Sequence, residues 1–260
     1  MLKRIFRKAR GTLNHSGRRI GNLCRSALRE MNHIPTVGIT GSVGKTTTCR
    51  MVSHILANSG KVVALSTTHG AWIGNKLVRA GDCSRGDVAK QLLLDPRSQA
   101  GVFEFARGSL LDRGMVLDSV DVGVALNIYD NHLGLQGVET REDLAHVKRV
   151  VVENARHAVV LNADDALCLA MHEFVTAPRV CLVSPGPPND AVLWHQGKGG
   201  MVAFVVNSKC DASLTLCEGK RLLINMPASE IPSTFGGAYQ PDIVNGLFAI
   251  TVAHNLGVEE

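Results

Sequence analysis

Gly41-Ser42-Val43-Gly44-Lys45-Thr46-Thr47-Thr48 holds the residue types that grip a nucleoside triphosphate. Glycines let the backbone curl so that several N–H groups converge on phosphate oxygens. Lys45 has the charge to neutralise β- and γ-phosphates, and Thr46 has a hydroxyl for Mg²⁺. The full pattern GxxxxGK[ST] asks for glycine at position 39, where this chain has Ile39, so the motif is a shortened one. The competing reading is an ordinary glycine turn that caps a helix. The surroundings favour phosphate: an apolar run, Thr36-Val37-Gly38-Ile39, comes before, and a helical segment, Lys45–Asn58, comes after and adds its dipole. Gly41, Ser42, Val43, Gly44, Lys45, Thr46 and Thr47 are therefore the expected nucleotide-binding residues.

Three further groups stand at or just past the ends of expected strands or on a following helix, where ligands gather in open parallel sheets. In Phe103-Glu104-Phe105-Ala106-Arg107-Gly108, Glu104 is a candidate Mg²⁺ ligand and Arg107 a candidate anion partner; a surface ion pair is the plain alternative. In Asn127-Ile128-Tyr129-Asp130-Asn131-His132-Leu133-Gly134, His132 can face metal or substrate with Asp130 nearby, although a lone histidine is more often structural. Lys148 lies on a helix among Leu144, Val147 and Val151, and its spacing alone does not separate a functional lysine from a solvated one.

The elements that would position these groups follow from residue 36 onward. Short β-branched runs alternate with helix-length segments, which predicts βαβ units and an α/β fold, a mostly parallel sheet with flanking helices. Expected strands are 36–40, 62–66, 100–105, 120–127, 158–162 and 180–183. Expected helices are 45–58, 86–94, 141–154 and 164–175. Residues 192–225 alternate in short pieces broken by Gly197, Gly199-Gly200, Asn207-Ser208 and Glu218-Gly219, and predict a small antiparallel β subdomain. A last helix is expected over about Pro241 to His254. The chain stops near its end without a closing strand, so a following segment is expected.

The length of 260 residues and the 45% hydrophobic content suit one large α/β domain with an appendage. Seven cysteines form no CxxC pair and no zinc spacing, which reads as reduced thiols in a cytoplasmic protein. No run approaches the roughly 18 apolar residues of a membrane helix. The net charge of +5 is local. Nine of the 28 Lys/Arg but one of the 23 acids lie in residues 1–30, leaving 19 basic and 22 acidic side chains for the remainder. Nucleic acid is thus not an expected partner of the fold. Residues 1–34 read as a basic segment or linker to an upstream domain, as a membrane- or nucleic-acid-touching arm, or as an organelle-targeting peptide.

Taken together, these stretches resemble the central, ATP-binding domain of the Mur ligase family, and within it the Mur-ligase-like part of the cyanophycin synthetases. The resemblance rests on residues 38–48, on Gly81-Asp82-Cys83-Ser84, on Glu104-Phe105-Ala106-Arg107-Gly108, on residues 121–127 with His132-Leu133-Gly134, and on Leu161-Asn162-Ala163-Asp164-Asp165. It spans residues 35–260. It implies a ligase in which ATP phosphorylates a carboxylate and an amine then displaces phosphate to form an amide. It also implies roles: Gly44, Lys45 and Thr46 for phosphates and a first Mg²⁺, Glu104 as a metal ligand, and His132 for a second metal. Lys148 matches a lysine that is carbamylated in many members, and Asn245 an asparagine that contacts adenine. The implied substrates are ATP, an acidic acceptor such as a peptide or polymer carboxylate, and an amino acid.

The chain departs from the family pattern in places. Ser42 and Val43 stand where the family has threonine and asparagine, Asn131 where it has aspartate, and Ser109 where cyanophycin synthetases have glycine. The family's C-terminal domain, which closes over ATP, has no counterpart in residues 1–260, so a further domain or partner chain is expected to complete activity. A catalytically lapsed nucleotide-binding module is the alternative, and an unrelated P-loop kinase or NTPase a third.

Overall fold

The computed structural model describes residues 34–131, 133–207 and 212–258. The expectations for 1–33 and for His132 lie outside these residues. In chain order the strands are β1 (Thr36–Thr40), β2 (Val63–Thr67), β3 (Gly70–Ile73), β4 (Lys76–Ala80), β5 (Ala100–Glu104) and β6 (Val120–Ala125). They continue with β7 (Ala155–Asn162), β8 (Arg179–Ser184), β9 (Met201–Asn207), β10 (Ala212–Glu218) and β11 (Arg221–Pro227). The helices are α1 (Lys45–Asn58), α2 (Gly86–Leu93), α3 (Arg107–Arg113), α4 (Arg141–Glu153), α5 (Ala166–Ala170), α6 (Asp190–Gly197) and α7 (Gln240–Asn255).

All the strands join one eleven-stranded sheet in the order β11-β10-β9-β8-β7-β6-β1-β5-β2-β3-β4. The pairings from β2 through β5, β1, β6, β7 and β8 to β9 are parallel, and the two flanks are antiparallel. Strand β1 sits near the centre, with both neighbours parallel and all five residues buried. A β-branched run with no exposed face suits that position.

Two expectations need correction. Residues 190–197 form α6, whose start is capped by the Asn189 side chain accepting from Val192 N at 3.0 Å. The antiparallel strands that follow do not stand apart as a subdomain. Because a helix supplies the crossover, β9 returns parallel to β8, and β10 and β11 extend the same sheet. The helix expected over 164–175 divides into α5 and a 3-10 turn, Met171–Phe174. The hairpin β3–β4 and helix α3 add elements that the alternation of runs did not mark.

One face of the sheet carries α1 and α7, whose Cys49, Val52, Leu56, Ile243, Leu247, Phe248 and Val252 pack on Val37 and Ile39 of β1 and on Val122 and Val124 of β6. The other face receives α4. There Gly38 and Gly123 are register partners on β1 and β6. A Cβ on Gly123 would lie 2.7 Å from the carbonyl oxygen of Val151, and one on Gly38 3.0 Å from the Val151 side chain. The paired glycines let α4 settle close onto the sheet. Its start is fixed by a capping box: Thr140 Oγ1 accepts from Asp143 N, and Asp143 Oδ2 accepts from Thr140 N, at 3.1 and 3.0 Å. Among the described residues no helix is long and apolar enough to cross a membrane, and Cys49, Cys83, Cys168, Cys181 and Cys217 are free and buried.

Candidate functional site

The loop Gly41–Gly44 leaves the C-terminal end of β1 and opens α1. Gly44 has φ +84°, in the left-handed region, and a Cβ there would lie 2.5 Å from Asn245 Oδ1. Both facts require glycine. Among the described residues no side chain caps α1, and its first turn has no acidic residue. The N–H groups that open the helix therefore face the site ready for an anion.

Asn127, at the end of β6, sets the shape of this loop. Its Oδ1 accepts from Ser42 N and Val43 N, both at 2.9 Å, and its Nδ2 donates to Val43 O at 3.2 Å. The Asn127 carbonyl also accepts from Ser42 N at 2.9 Å. Tyr129 N donates to Ser42 Oγ at 2.9 Å, and Asn131 Nδ2 donates to Ser42 O at 3.3 Å. Ser42 is thus enclosed by the β6 loop, whereas the Val43 side chain is half exposed.

Lys45 begins α1 and folds its amine back onto Ser42 O at 3.0 Å. Burial lowers its pKa from the usual lysine value, and the nearby Glu104 charge opposes that shift. Thr46 Oγ1 donates to Glu104 Oε2 at 2.7 Å. The same carboxylate oxygen accepts from Thr68 N at 3.2 Å, and the Thr68 and Thr46 hydroxyls lie 3.2 Å apart. Glu104 ends β5 and is 1% exposed, so the surface ion-pair reading does not apply. Thr47 follows in the first turn of α1, partly exposed.

Lys148, on α4, is 2% exposed and donates to Gly41 O at 2.7 Å. Burial first, and then the Lys45 charge, pushes its pKa down to about 7. The solvated-lysine reading is excluded. Asn245, on α7, is buried; its Oδ1 accepts from Thr48 Oγ1 at 3.2 Å and its Nδ2 donates to Asp242 Oδ1 at 3.1 Å. Four residue groups expected from sequence, Gly41–Thr47, Glu104, Lys148 and Asn245, therefore converge around one loop, and Asn127 and Asn131 join them.

Arg107 and Asp130 make contacts outside the Gly41–Gly44 loop. The Arg107 guanidinium donates to Leu135 O at 2.9 Å and Gln136 Oε1 at 3.1 Å. Asp130 is exposed and pairs with Arg141 at 3.3 Å, while Arg141 also donates to Ile128 O at 2.7 Å. Sequence reasoning assigned no role to Asn127, Thr68 or Asp165. Asp165 accepts from Ile128 N at 2.7 Å and caps α5 through Leu167 N and Cys168 N, tying the β6 loop to β7. Asn127 and Asp165 both lie in the stretches that carry the family resemblance, which is the signal that could have found them.

Among the described residues no three His, Cys, Asp or Glu side chains cluster to hold a metal alone. The Thr46 hydroxyl and Glu104 carboxylate form an oxygen pair beside the loop. Such a pair suits Mg²⁺, which keeps several waters and uses one or two carboxylates together with phosphate oxygens.

A model of the Mur ligase middle domain matches residues 39–228. Cyanophycin synthetase from Crocosphaera subtropica is 39% identical over 230 residues, 88% of this chain but 26% of that protein. A structure of UDP-N-acetylmuramoyl-L-alanyl-D-glutamate--2,6-diaminopimelate ligase superposes with a TM-score of 0.63 at 18% identity, over 89% of this chain and 46% of that one. MurF ligase from Thermotoga maritima, solved in complex with ADP, gives 0.57 at 20% identity, over 95% and 51%. At such identities the two structures show a shared fold. The sequence match runs from Ile39 at the end of β1 through the loop, Glu104, Asn127 and Lys148 to the 3-10 turn after β11, and on that extent the chain belongs to the Mur ligase middle domain family.

Proposed function

We propose that this chain is the nucleotide-binding domain of an ATP- and Mg²⁺-dependent ligase of the cyanophycin synthetase kind, joining a carboxylate to an amine with the help of a further domain or partner chain. The observation that carries the reading is the uncapped N-terminus of α1 behind a glycine loop, with Lys45 and the 2.7 Å Thr46–Glu104 pair beside it. The chain spans 26% of the cyanophycin synthetase that it matches, so the complete reaction needs more polypeptide than this domain.

In this reading the loop N–H groups and Lys45 hold the triphosphate, and Thr46 and Glu104 hold Mg²⁺. The metal supplies charge neutralisation on the phosphates, which is most of what phosphoryl transfer asks of a site. The acceptor is an acidic peptide or polymer whose carboxylate takes the γ-phosphoryl group, and an amino acid's amine displaces phosphate to make the amide. Lys148 contributes through its low basicity. Only a neutral amine attacks CO₂: its nitrogen bonds the carbon and loses a proton, and the lysine becomes a carbamate anion able to help hold a cation. A pKa of about 7 keeps a large neutral fraction at neutral pH. His132 belongs to the same proposal as the ligand of a second metal.

The test is calorimetric titration of Mg²⁺ and ATP into the chain, with Lys45→Ala as control. Binding that is lost in the variant supports the reading; equal affinity in both proteins refutes the loop assignment. Nucleotide binding without turnover in the presence of the complementary domain would assign the chain to the catalytically lapsed class instead.

A further inference from the structure

Past the end of β6 at Ala125, the chain divides its polar contacts between two sides. Asn127 and Tyr129 serve the Gly41–Gly44 loop. The Asn127 side chain bonds Ser42 N, Val43 N and Val43 O, and Tyr129 N donates to Ser42 Oγ at 2.9 Å. The carbonyl of Leu126 and both peptide groups of Ile128 are instead taken by side chains from other elements. Leu126 O accepts from Asn162 Nδ2 at 2.7 Å, and Ile128 N donates to Asp165 Oδ2 at 2.7 Å. Ile128 O accepts twice from the Arg141 fork, from Nη2 at 2.7 Å and from Nε at 3.1 Å. Alternate residues of this segment thus hold the loop and are themselves held.

Arg141 is the first residue of α4. A cation in the first turn of a helix opposes the helix dipole. The Thr140–Asp143 capping box already starts this helix, so local helix chemistry gives no reason for an arginine there. The Ile128 carbonyl does. Ile128 is fully buried, and removing the guanidinium would strip a buried carbonyl of its charged partner. Two N–H groups on one oxygen also fix direction as well as distance. The neighbouring Asp130, 3.3 Å from Nε, is 76% exposed, so this ion pair is screened by water and adds little. Two turns further along α4, Lys148 donates to Gly41 O at 2.7 Å. One helix therefore holds both the segment after β6 and the loop after β1 in a common frame.

We propose that Arg141 is a positioning residue for nucleotide binding: by holding the Ile128 carbonyl it keeps Asn127 and Tyr129 set against Ser42 and Val43, so that the loop N–H groups are aligned before the phosphates arrive. This rests on the nucleotide-binding reading above. Arg141 acts through the peptide segment 127–129 and touches no ligand. Alignment in advance removes ordering that binding would otherwise have to supply.

The test titrates Mg²⁺·ATP and Mg²⁺·tripolyphosphate into the wild-type chain and into Arg141→Ala, Arg141→Lys, Asp130→Asn, Asn127→Ala, Arg141→Ala/Asn127→Ala and Lys45→Ala, with thermal melts alongside. Arg141→Ala is expected to weaken both ligands equally, by about tenfold or more, because the loop and not the base is what it aligns. Arg141→Lys, which keeps one donor, should lose less, and Asp130→Asn should stay within twofold of wild type. Low, non-denaturing guanidinium should restore affinity to Arg141→Ala but not to Lys45→Ala, with sodium chloride at equal ionic strength as control. Because Arg141 works through the Asn127 clamp, adding Arg141→Ala to Asn127→Ala should cost about threefold at most. A lower melting temperature with ATP affinity within twofold of wild type overturns the proposal and leaves Arg141 as a contact of the fold alone. Losses that multiply in full in the double variant, or an Asp130→Asn loss equal to that of Arg141→Ala, also overturn it. A wild-type chain that binds neither ligand, or a Lys45→Ala chain that binds both normally, instead removes the nucleotide reading on which the proposal stands.

Discussion

Lys148 reaches 107 residues back along the chain to place its amine 2.7 Å from the carbonyl oxygen of Gly41, in the loop that opens α1. The contact depends on how closely α4 lies on the sheet, and that closeness depends on the Gly38–Gly123 pair. A sheet glycine, a helix position and a buried lysine thus form one causal sequence ending at the loop. The amine is held away from water, and the cost falls on its charged form.

That cost gives a pH signature in the metal- and nucleotide-free protein. The unfolded lysine titrates near 10.5 and the folded one near 7. Between those values the unfolded chain keeps a proton that the folded chain has shed, so this group's contribution to stability rises with pH. Below pH 7 both states hold the proton and the full penalty applies. Lys148→Met is expected to flatten the rise between pH 7 and 10, by a few kcal/mol at most on the order of magnitude of such shifts. Lys45 shifts in the same direction in both proteins, so the difference between them isolates Lys148. Denaturant midpoints at pH 7 and pH 9.5 measure it, and parallel pH profiles would contradict the assignment.

Asn127→Ala removes the three hydrogen bonds of its side chain to the loop. Val43 N–H loses its acceptor, Ser42 N–H keeps only the Asn127 carbonyl, and the curl relaxes. The expected result is a loss of about 1–3 kcal/mol in stability, from the three lost bonds and the Val43 donor left without its acceptor. ATP affinity should fall about tenfold or more on the same energy scale. Calorimetry and thermal melts read both. Unchanged ATP affinity would show that the loop holds its shape without the clamp.

Asn127 also marks the limit of what the sequence discloses. The loop, β1 and α1 were legible because strand, glycine turn and helix are local patterns with local causes. The convergence of Glu104 and Lys148 on the loop was suggested by resemblance, not by spacing. Asn127 and Thr68 went unassigned because their roles are contacts made across 84 and 36 residues through backbone N–H groups, that of Val43 for Asn127 and that of Thr68 itself for Glu104, which carry no sequence signal. The exposed hairpin strand β4 was hidden for a different reason: Lys76-Leu77-Val78-Arg79-Ala80 is exposed at every position and has no buried face to impose alternation. The antiparallel run after α6 was read correctly in kind. Its attachment to β8 is a matter of topology that residue alternation does not encode.

Glu104→Gln keeps a side-chain oxygen for the Thr46 hydroxyl and Thr68 N–H but removes the negative charge beside them. The fold should therefore stay close to wild type in melting temperature. Its effect should appear in the metal dependence: the gain in ATP affinity on adding Mg²⁺ should shrink about tenfold or more, equivalent to about 1.4 kcal/mol. Binding measured in EDTA should hold or improve, because a carboxylate no longer faces the phosphates. An Mg²⁺ response equal to wild type would remove Glu104 from the metal site.

The glycine pair makes the sharpest structural prediction, because its two members differ in what surrounds them. A methyl group on Gly123 would meet the Val151 carbonyl oxygen at 2.7 Å and Val152 Cα at 3.0 Å, which are helix backbone atoms that cannot rotate away. A methyl on Gly38 would meet the Val151 side chain at 3.0 Å and the Phe105 ring at 3.1 Å, both able to shift by a few tenths of an ångström. Gly123→Ala should therefore lift α4 and destabilise the fold by about 1–3 kcal/mol or more, and Gly38→Ala by less. Lifting α4 also draws Lys148 from Gly41, so Gly123→Ala should raise the Lys148 pKa as water reaches the amine. The lysine-dependent rise in stability above pH 7 would shrink with it. If Gly123→Ala melts like wild type and keeps that rise, close packing of α4 is not what holds the amine beneath the loop.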